Sequence, residues 1–278
     1  MARRGGKLQA LAIILVGLAV VVGIVAWQAS KDFEDKTLEL LMGENNCYRS
    51  PSSPAHTVFL IDQTDPFTRG DRQWVDALLE AEASRLPQYG KLSIYSLSLE
   101  PFANKPIEPV VCSPGPIADR DPMETGRQVL GRYSTFLQSI RTQGDGAVVQ
   151  PTANQSPIME AVSAIAKDVD FTVHVRVRRL VIISDLLEFR GTLRGPRDFY
   201  HRVPQYQEIE DIAAPTVNEA SLADVCVSIR LVERPEEQVD SDRLIQFWEA
   251  YFLARGAAVH WIQSPTEDLC AGVSSPPQ

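Results

Sequence analysis

Two short apolar runs each end in an aspartate: Val58-Phe59-Leu60-Ile61-Asp62 and Leu180-Val181-Ile182-Ile183-Ser184-Asp185. Runs of this length and branching suit strands buried on both faces of a parallel sheet, where ligand sites gather at the carboxyl ends of the strands. Two carboxylates meeting at one such edge, with the Thr64 hydroxyl two residues after Asp62, form a set of hard oxygen donors suited to a hard cation. A plainer reading of the first run is a turn, because Asp-x-Thr-Asp-Pro is also strong turn chemistry. Asp185 is costly at the end of a buried strand unless it is paired, hydrogen bonded or beside a cation.

A sheet must position these groups, and the periodicity from Pro54 onward supplies one. His56 to Ile61 reads as a first strand, and Trp74, Val75, Leu78, Leu79 and Leu86 form a helical stripe that stops before Pro87. Leu92 to Leu99 is a second strand; Ile107 to Val111, among prolines, suits an antiparallel edge strand. Thr125 to Ile140 carries one apolar helical face, and Gly144-Asp145-Gly146 is expected to break it. A helix over Ile158 to Ala166, a buried strand over Arg179 to Ser184, a strand over Val225 to Val232, a helix over Arg243 to Ala254 and a strand over Ala257 to Ile262 complete the chain. This alternation implies an α/β fold: a doubly wound, mostly parallel sheet with helices on both faces and one antiparallel edge strand. Phe247, Trp248, Tyr251 and Phe252 fall at helical spacing and read as core.

The amino terminus sets the compartment. Arg3, Arg4 and Lys7 precede an uncharged run of 18 residues from Ala10 to Trp27. At ~1.5 Å per residue this run covers most of a ~30 Å hydrocarbon core. A cleavable signal needs a pair of small residues that Trp27-Gln28-Ala29-Ser30 does not offer. The expectation is a single-pass inner-membrane anchor with a cytoplasmic amino terminus and a periplasmic or extracellular domain. The organisation read from this is a basic start and anchor over 1–30, a linker over 31–54, one domain over 55–265 with an inserted loop at 186–224, and a polar tail over 266–278. A net charge of −9 argues against nucleic acid as a partner, since phosphate binding needs concentrated Lys and Arg.

Four cysteines, Cys47, Cys112, Cys226 and Cys270, suit a compartment that permits disulfides, and no CxxC pair suggests zinc. An antiparallel edge strand ending at Cys112 brings it to the amino-terminal edge of the sheet beside Cys47, which favours a Cys47–Cys112 bridge. Cys226 opens a strand at that edge while Cys270 follows the exit of the last strand, so a second bridge and a buried thiol at Cys226 both stay open.

With these residues in place, the chain resembles the von Willebrand factor type A domain. That family carries DxSxS after the first strand, a threonine before a later helix and an aspartate after the fourth strand, together a metal-ion-dependent adhesion site. Asp62-Gln63-Thr64-Asp65-Pro66 is similar to the first motif, Gln155-Ser156-Pro157-Ile158 to the second and Ser184-Asp185 to the third. The resemblance implies Mg2+ held by Asp62, Thr64, Ser156 and Asp185 and completed by a carboxylate of a protein partner. Two positions depart from the pattern: Pro66 replaces the second serine, removing a ligand, and Leu186 replaces the glycine that often follows the last aspartate. The competing reading of Ser156 is a helix cap followed by proline at the first helical position.

The connection after Asp185 is long for a compact domain, which marks a functional or solvated segment. Its Phe189, Arg190, Arg194 and Tyr200 are the expected partner-binding residues, above the proposed site. The function expected is therefore a non-catalytic, membrane-anchored module that binds a protein outside the cytoplasm. The alternative is a metal-free scaffold subunit of a cell-envelope assembly. A haloacid-dehalogenase-like phosphatase is the weaker third reading, because Thr64 stands where an acidic general acid belongs and Asp65 comes one residue late. His56, His174, His201 and His260 show no metal-binding spacing.

Overall fold

The computed structural model describes residues 17, 20–28, 47, 53–64, 66–97, 106–116, 125–148, 155–189, 198–210, 221–234, 239–268 and 270. The chain divides into two units, Met1–Gly43 and Glu44–Gln278. In the first, residues 20–28 are helical and expose Val21, Ile24, Val25 and Trp27. Among the described residues no helix is long and apolar enough to cross a membrane. Most of the rest of the apolar run from Ala10 lies outside the described residues.

The second unit is built on a six-stranded sheet. Its strands are β1 (Ala55–Ile61), β2 (Lys91–Ser96), β3 (Val111–Cys112), β4 (Val177–Ser184), β5 (Val225–Leu231) and β6 (Ala258–Trp261), in the order β3-β2-β1-β4-β5-β6. Every pairing is parallel except β2 with β3. The described helices are α1 (Arg69–Arg85), α2 (Gly126–Val148), α3 (Ile158–Ala166), α4 (Tyr206–Glu210) and α5 (Ser241–Leu253). Alternation along β1 and β4 sends Phe59, Ile61, Val181 and Ile183 into one core with Leu78, Leu79, Phe136 and Ile140. It sends Val58, Leu60, Leu180 and Ile182 into the other, with Val162, Trp248 and Phe252. Both faces are covered, which is why these strands read as continuous apolar runs rather than alternating ones.

Two expectations need correction. The edge strand is not Ile107 to Val111: only Val111 and Cys112 pair, opposite Leu92 and Lys91. Pro106 and Pro109 have no N–H to donate, and a single amide bond from Ile107 to the Ile94 carbonyl, 2.7 Å, stands in for a ladder. The second correction concerns Gly144-Asp145-Gly146, which does not end the helix, since α2 continues to Val148. Gly144 is there because α2 crosses α1 closely: a Cβ at this position would lie 2.7 Å from Leu79 Cδ1. Gly146 has nothing within 4 Å of the same atom. Alanine raises helix propensity by roughly 1 kcal/mol at either site, but at Gly144 it must displace a packed leucine. Gly146→Ala is therefore expected to stabilise the protein by about 0.5–1 kcal/mol and Gly144→Ala to destabilise it by about 1 kcal/mol, a difference of sign that urea unfolding resolves.

Both disulfides form. Cys47–Cys112 closes at the amino-terminal edge as expected, and Cys226–Cys270 closes as well. The chain after β6 is led back by the Arg85 guanidinium, which donates to the carbonyls of Thr266 and, at 2.7 Å, Glu267. Phe247, Trp248, Tyr251 and Phe252 are all buried, as their spacing implied.

Candidate functional site at the carboxyl ends of β1 and β4

Register brings the first two groups together. β1 and β4 are parallel with Ile61 opposite Ile183, and the Asp62 amide donates to the Ile183 carbonyl at 2.9 Å. Asp62 therefore lies beside Ser184, and the two side chains share the face of Leu60 and Ile182. The Ser184 hydroxyl donates to Asp62 Oδ2 at 2.7 Å. Ser156, entering from the segment before α3, donates to the same oxygen at 2.8 Å. Thr64 gives Oδ1 both its amide, at 3.0 Å, and its hydroxyl, at 2.8 Å. Asp62 is buried, and its carboxylate thus accepts four bonds from three segments of the chain, about its full acceptor capacity. The turn reading of Asp62 accounts for the two bonds from Thr64, and the bonds from Ser156 and Ser184 go beyond it.

Ser156 is not the helix cap. Pro157 occupies the cap position of α3 without a side-chain bond, and the Ser156 hydroxyl is spent on Asp62. The cap comes from Glu188, whose Oε2 accepts the Met159 amide at 3.1 Å. A fully buried carboxylate is tolerable there because the first turn of a helix offers unpaired N–H groups and the positive end of its dipole.

Asp185 goes elsewhere. Its Oδ1 accepts the Leu187 amide at 2.9 Å, and the residue lines a cavity of about 250 Å³ with Leu187, Val232, Arg234 and Leu244. It lies one position past Ser184, beyond the last residue of β4. Leu186 then takes φ +64°, the left-handed region that favours glycine. The strain of roughly 1 kcal/mol is held because the side chain is fully buried, the Leu186 amide donates to Ser184 Oγ at 2.7 Å and Trp248 Nε1 donates to its carbonyl at 3.0 Å.

The long connection is anchored on this cluster. Ser156 and Phe189 exchange both backbone bonds, at 2.8 and 3.1 Å, and Phe189 forms a second bridge to Asp198. Phe189 meets Tyr200 edge-to-face at 5.9 Å, with Tyr200 exposed. Arg190 and Arg194 lie outside the described residues.

Three residues of this rim were missed in the sequence. Ser184 could have been found from its period-two relation to Leu180 and Ile182, and Glu188 from its place inside Leu186-Leu187-Glu188-Phe189. Arg234, which follows β5, gave no signal; its Nη1 donates to the Pro66 carbonyl at 3.2 Å.

The sheet order with a lone antiparallel edge, and an aspartate leaving the central strand to meet a threonine two residues on and a serine before a later helix, decide the architecture. The chain has a von Willebrand factor type A fold. It is similar to an aerotolerance-related membrane protein from Bacteroides fragilis, at 10% identity over 76% of this chain and 93% of that one, TM-score 0.38. It is also similar to a von Willebrand factor type A protein from Catenulispora acidiphila, at 9% identity over 77% of this chain and 39% of that one, TM-score 0.43. A third is the conserved hypothetical protein BatB from Bacteroides thetaiotaomicron, at 9% identity over 76% and 91%, TM-score 0.35. No protein-family model and no curated protein matches the sequence.

Whether this type A rim suits magnesium follows from its oxygens. Mg2+ takes about six, in near-octahedral geometry. Thr64 and Ser156 have hydroxyl lone pairs left after donating to Asp62, and Pro66 has no hydroxyl at all. Asp62 spends both oxygens on protein donors, Ser184 Oγ already accepts the Leu186 amide, and Asp185 shares a cavity with a guanidinium. Among the described residues no group of three or more His, Cys, Asp or Glu side chains could hold a metal ion. These donors do not fit a directly held magnesium ion.

Proposed function

We propose that this chain is a non-catalytic type A module that is tethered to a membrane by its amino-terminal apolar run and binds a protein partner outside the cytoplasm, working as a metal-independent scaffold. The observation that carries the reading is the two-way backbone bridge between Ser156 and Phe189, which fixes the root of the long connection on the Asp62 rim and sets Tyr200 at the surface. An exposed aromatic on a rigid base is the kind of anchor that dominates protein interfaces. Two disulfides support an oxidising compartment. The saturation of Asp62 by four donors argues against its use as a phosphatase nucleophile, which needs a free oxygen.

The test is affinity capture with the full chain in detergent-solubilised membranes, using wild type and Tyr200→Ser. Wild type is expected to retain a stoichiometric partner equally with and without EDTA, and Tyr200→Ser to weaken that retention at least tenfold. Retention abolished by EDTA would return the metal-dependent reading, and retention untouched by Tyr200→Ser would move the interface away from this rim.

A further inference from the structure

We propose that Arg234 is the resident cation of this rim, a fixed guanidinium in place of a divalent ion. The proposal rests on the reading of the rim as a partner site and deepens it by naming the charge that the partner meets. Pro66 stands where a second hydroxyl ligand is needed, and it is the Pro66 carbonyl that the Arg234 guanidinium binds, at 3.2 Å. Both arise at strand exits: Pro66 four residues after Asp62 begins the loop beyond β1, and Arg234 three residues after β5 ends. Asp185, the second carboxylate of the motif, lines one cavity of about 250 Å³ together with Arg234. The motif's last aspartate and this guanidinium thus border one space.

The rest of the donor count agrees. Arginine carries five N–H groups in a planar fork. Nη1 is used on Pro66, while Nε is buried and has no hydrogen-bond partner. A buried unpaired N–H is costly unless something pairs it, and the fork geometry suits a carboxylate. Leu231, Val239 and Leu244 line the same cavity with Glu233 and Ser241, and the Arg234 Nε–H is the donor there that lacks an acceptor, so the occupant proposed is an acidic side chain of the partner with an aliphatic stem. A guanidinium is charged at any physiological pH and needs no coordination geometry, so recognition by this rim does not vary with divalent ion supply. Asp62 is then the organiser of the loops rather than a ligand: its four bonds tie the β1 exit, the approach to α3 and the β4 exit into one platform.

Mn2+ binding, read by electron paramagnetic resonance on the full chain in detergent, tests this without a partner, so it can fail or succeed independently of the capture experiment. Wild type is expected to show no saturable Mn2+ binding up to millimolar concentrations. Restoring the hydroxyl and removing the fixed charge together, in Pro66→Ser/Arg234→Ala, is expected to create one site per chain with at least tenfold tighter binding than wild type. Adding Thr64→Ala to that pair should abolish the new site. If Pro66→Ser/Arg234→Ala is unfolded by circular dichroism, Pro66→Ser/Arg234→Gln, which keeps a donor for the Pro66 carbonyl, takes its place. Saturable Mn2+ binding by wild type that Thr64→Ala removes overturns the proposal, as does a folded double variant that binds no better than wild type.

Discussion

Replacing Glu82 with alanine is expected to lower the unfolding free energy by about 3–5 kcal/mol, the range for removing one partner from a buried ion pair. Glu82 falls on the core-facing stripe of α1 with Val75, Leu78 and Leu79 and is fully buried. It points at a cross-strand pair, because Thr57 of β1 and Arg179 of β4 are register partners on the same face. Glu82 Oε1 accepts from Thr57 Oγ1 at 2.8 Å and from Arg179 Nη1 at 2.9 Å. Its other oxygen, Oε2, is buried without a partner. Burial raises the pKa of this carboxyl, and the attraction of Arg179 offsets only part of that, consistent with an anion satisfied on one oxygen alone. Alanine leaves the Thr57 hydroxyl and a largely buried guanidinium without their acceptor, and adds a cavity. Glu82→Gln keeps the Oε1 acceptor and should cost distinctly less. A triple replacement, Glu82→Leu with Arg179→Leu and Thr57→Val, should recover most of the loss, since an apolar substitute for a whole buried pair is close to neutral. Urea unfolding measures all three; a cost below about 1 kcal/mol for Glu82→Ala would show that the pair is solvated and the helix packs otherwise.

The parts of this protein that could be read from its residues are those where one period dominates. The strands before Asp62 and Asp185 are apolar throughout because both faces are covered, and their shortness and β-branched content separate them from a buried helix. Asp62, Thr64 and Ser156 meet as their order implied, since parallel strands deliver their exits to one edge whatever the loops between them do. Of the Ser184-Asp185 pair, it is Ser184 that bonds to Asp62, while Asp185, just past the strand end, accepts the Leu187 amide. The glycines of α2 failed as a stop signal because close helix crossing and helix breaking call for the same residue. Arg234 was beyond reach, because its guanidinium meets a backbone carbonyl 168 residues away, an acceptor that no side-chain type announces.

Acidification supplies the second large effect, through His56. This imidazole is buried at the start of β1, edge-on to Phe171 at 5.4 Å, with both ring nitrogens bonded. Nδ1 faces the Asp170 carbonyl at 2.9 Å, which can only accept, so Nδ1 carries the hydrogen and Nε2 accepts from Ser93 Oγ, also at 2.9 Å. A proton added at Nε2 must reverse the Ser93 hydroxyl and bring a charge into the core beside Lys91, which is itself paired with Asp170. Burial is the largest cause holding the His56 pKa down at about 4, from an ordinary 6.5; the Asp170 carbonyl works against it and Lys91 with it. Between those two values the unfolded chain binds a proton that the folded chain refuses, so stability is complete above about pH 7 and falls as pH falls. The loss is about 2 kcal/mol by pH 5 and about 3 kcal/mol below pH 4, at roughly 1.4 kcal/mol per pH unit of separation. Glu82 acts in the opposite sense, because a raised carboxyl pKa favours the folded state as pH falls, so the His56 contribution is read as a difference. His56→Gln, which retains a donor for Asp170 and an acceptor for Ser93, should be less stable than wild type at pH 7.5 yet lose about 2 kcal/mol less on transfer to pH 5. Equal losses in the two proteins would mean that the imidazole is already charged in the folded state, and the neutral tautomer assigned here would be wrong.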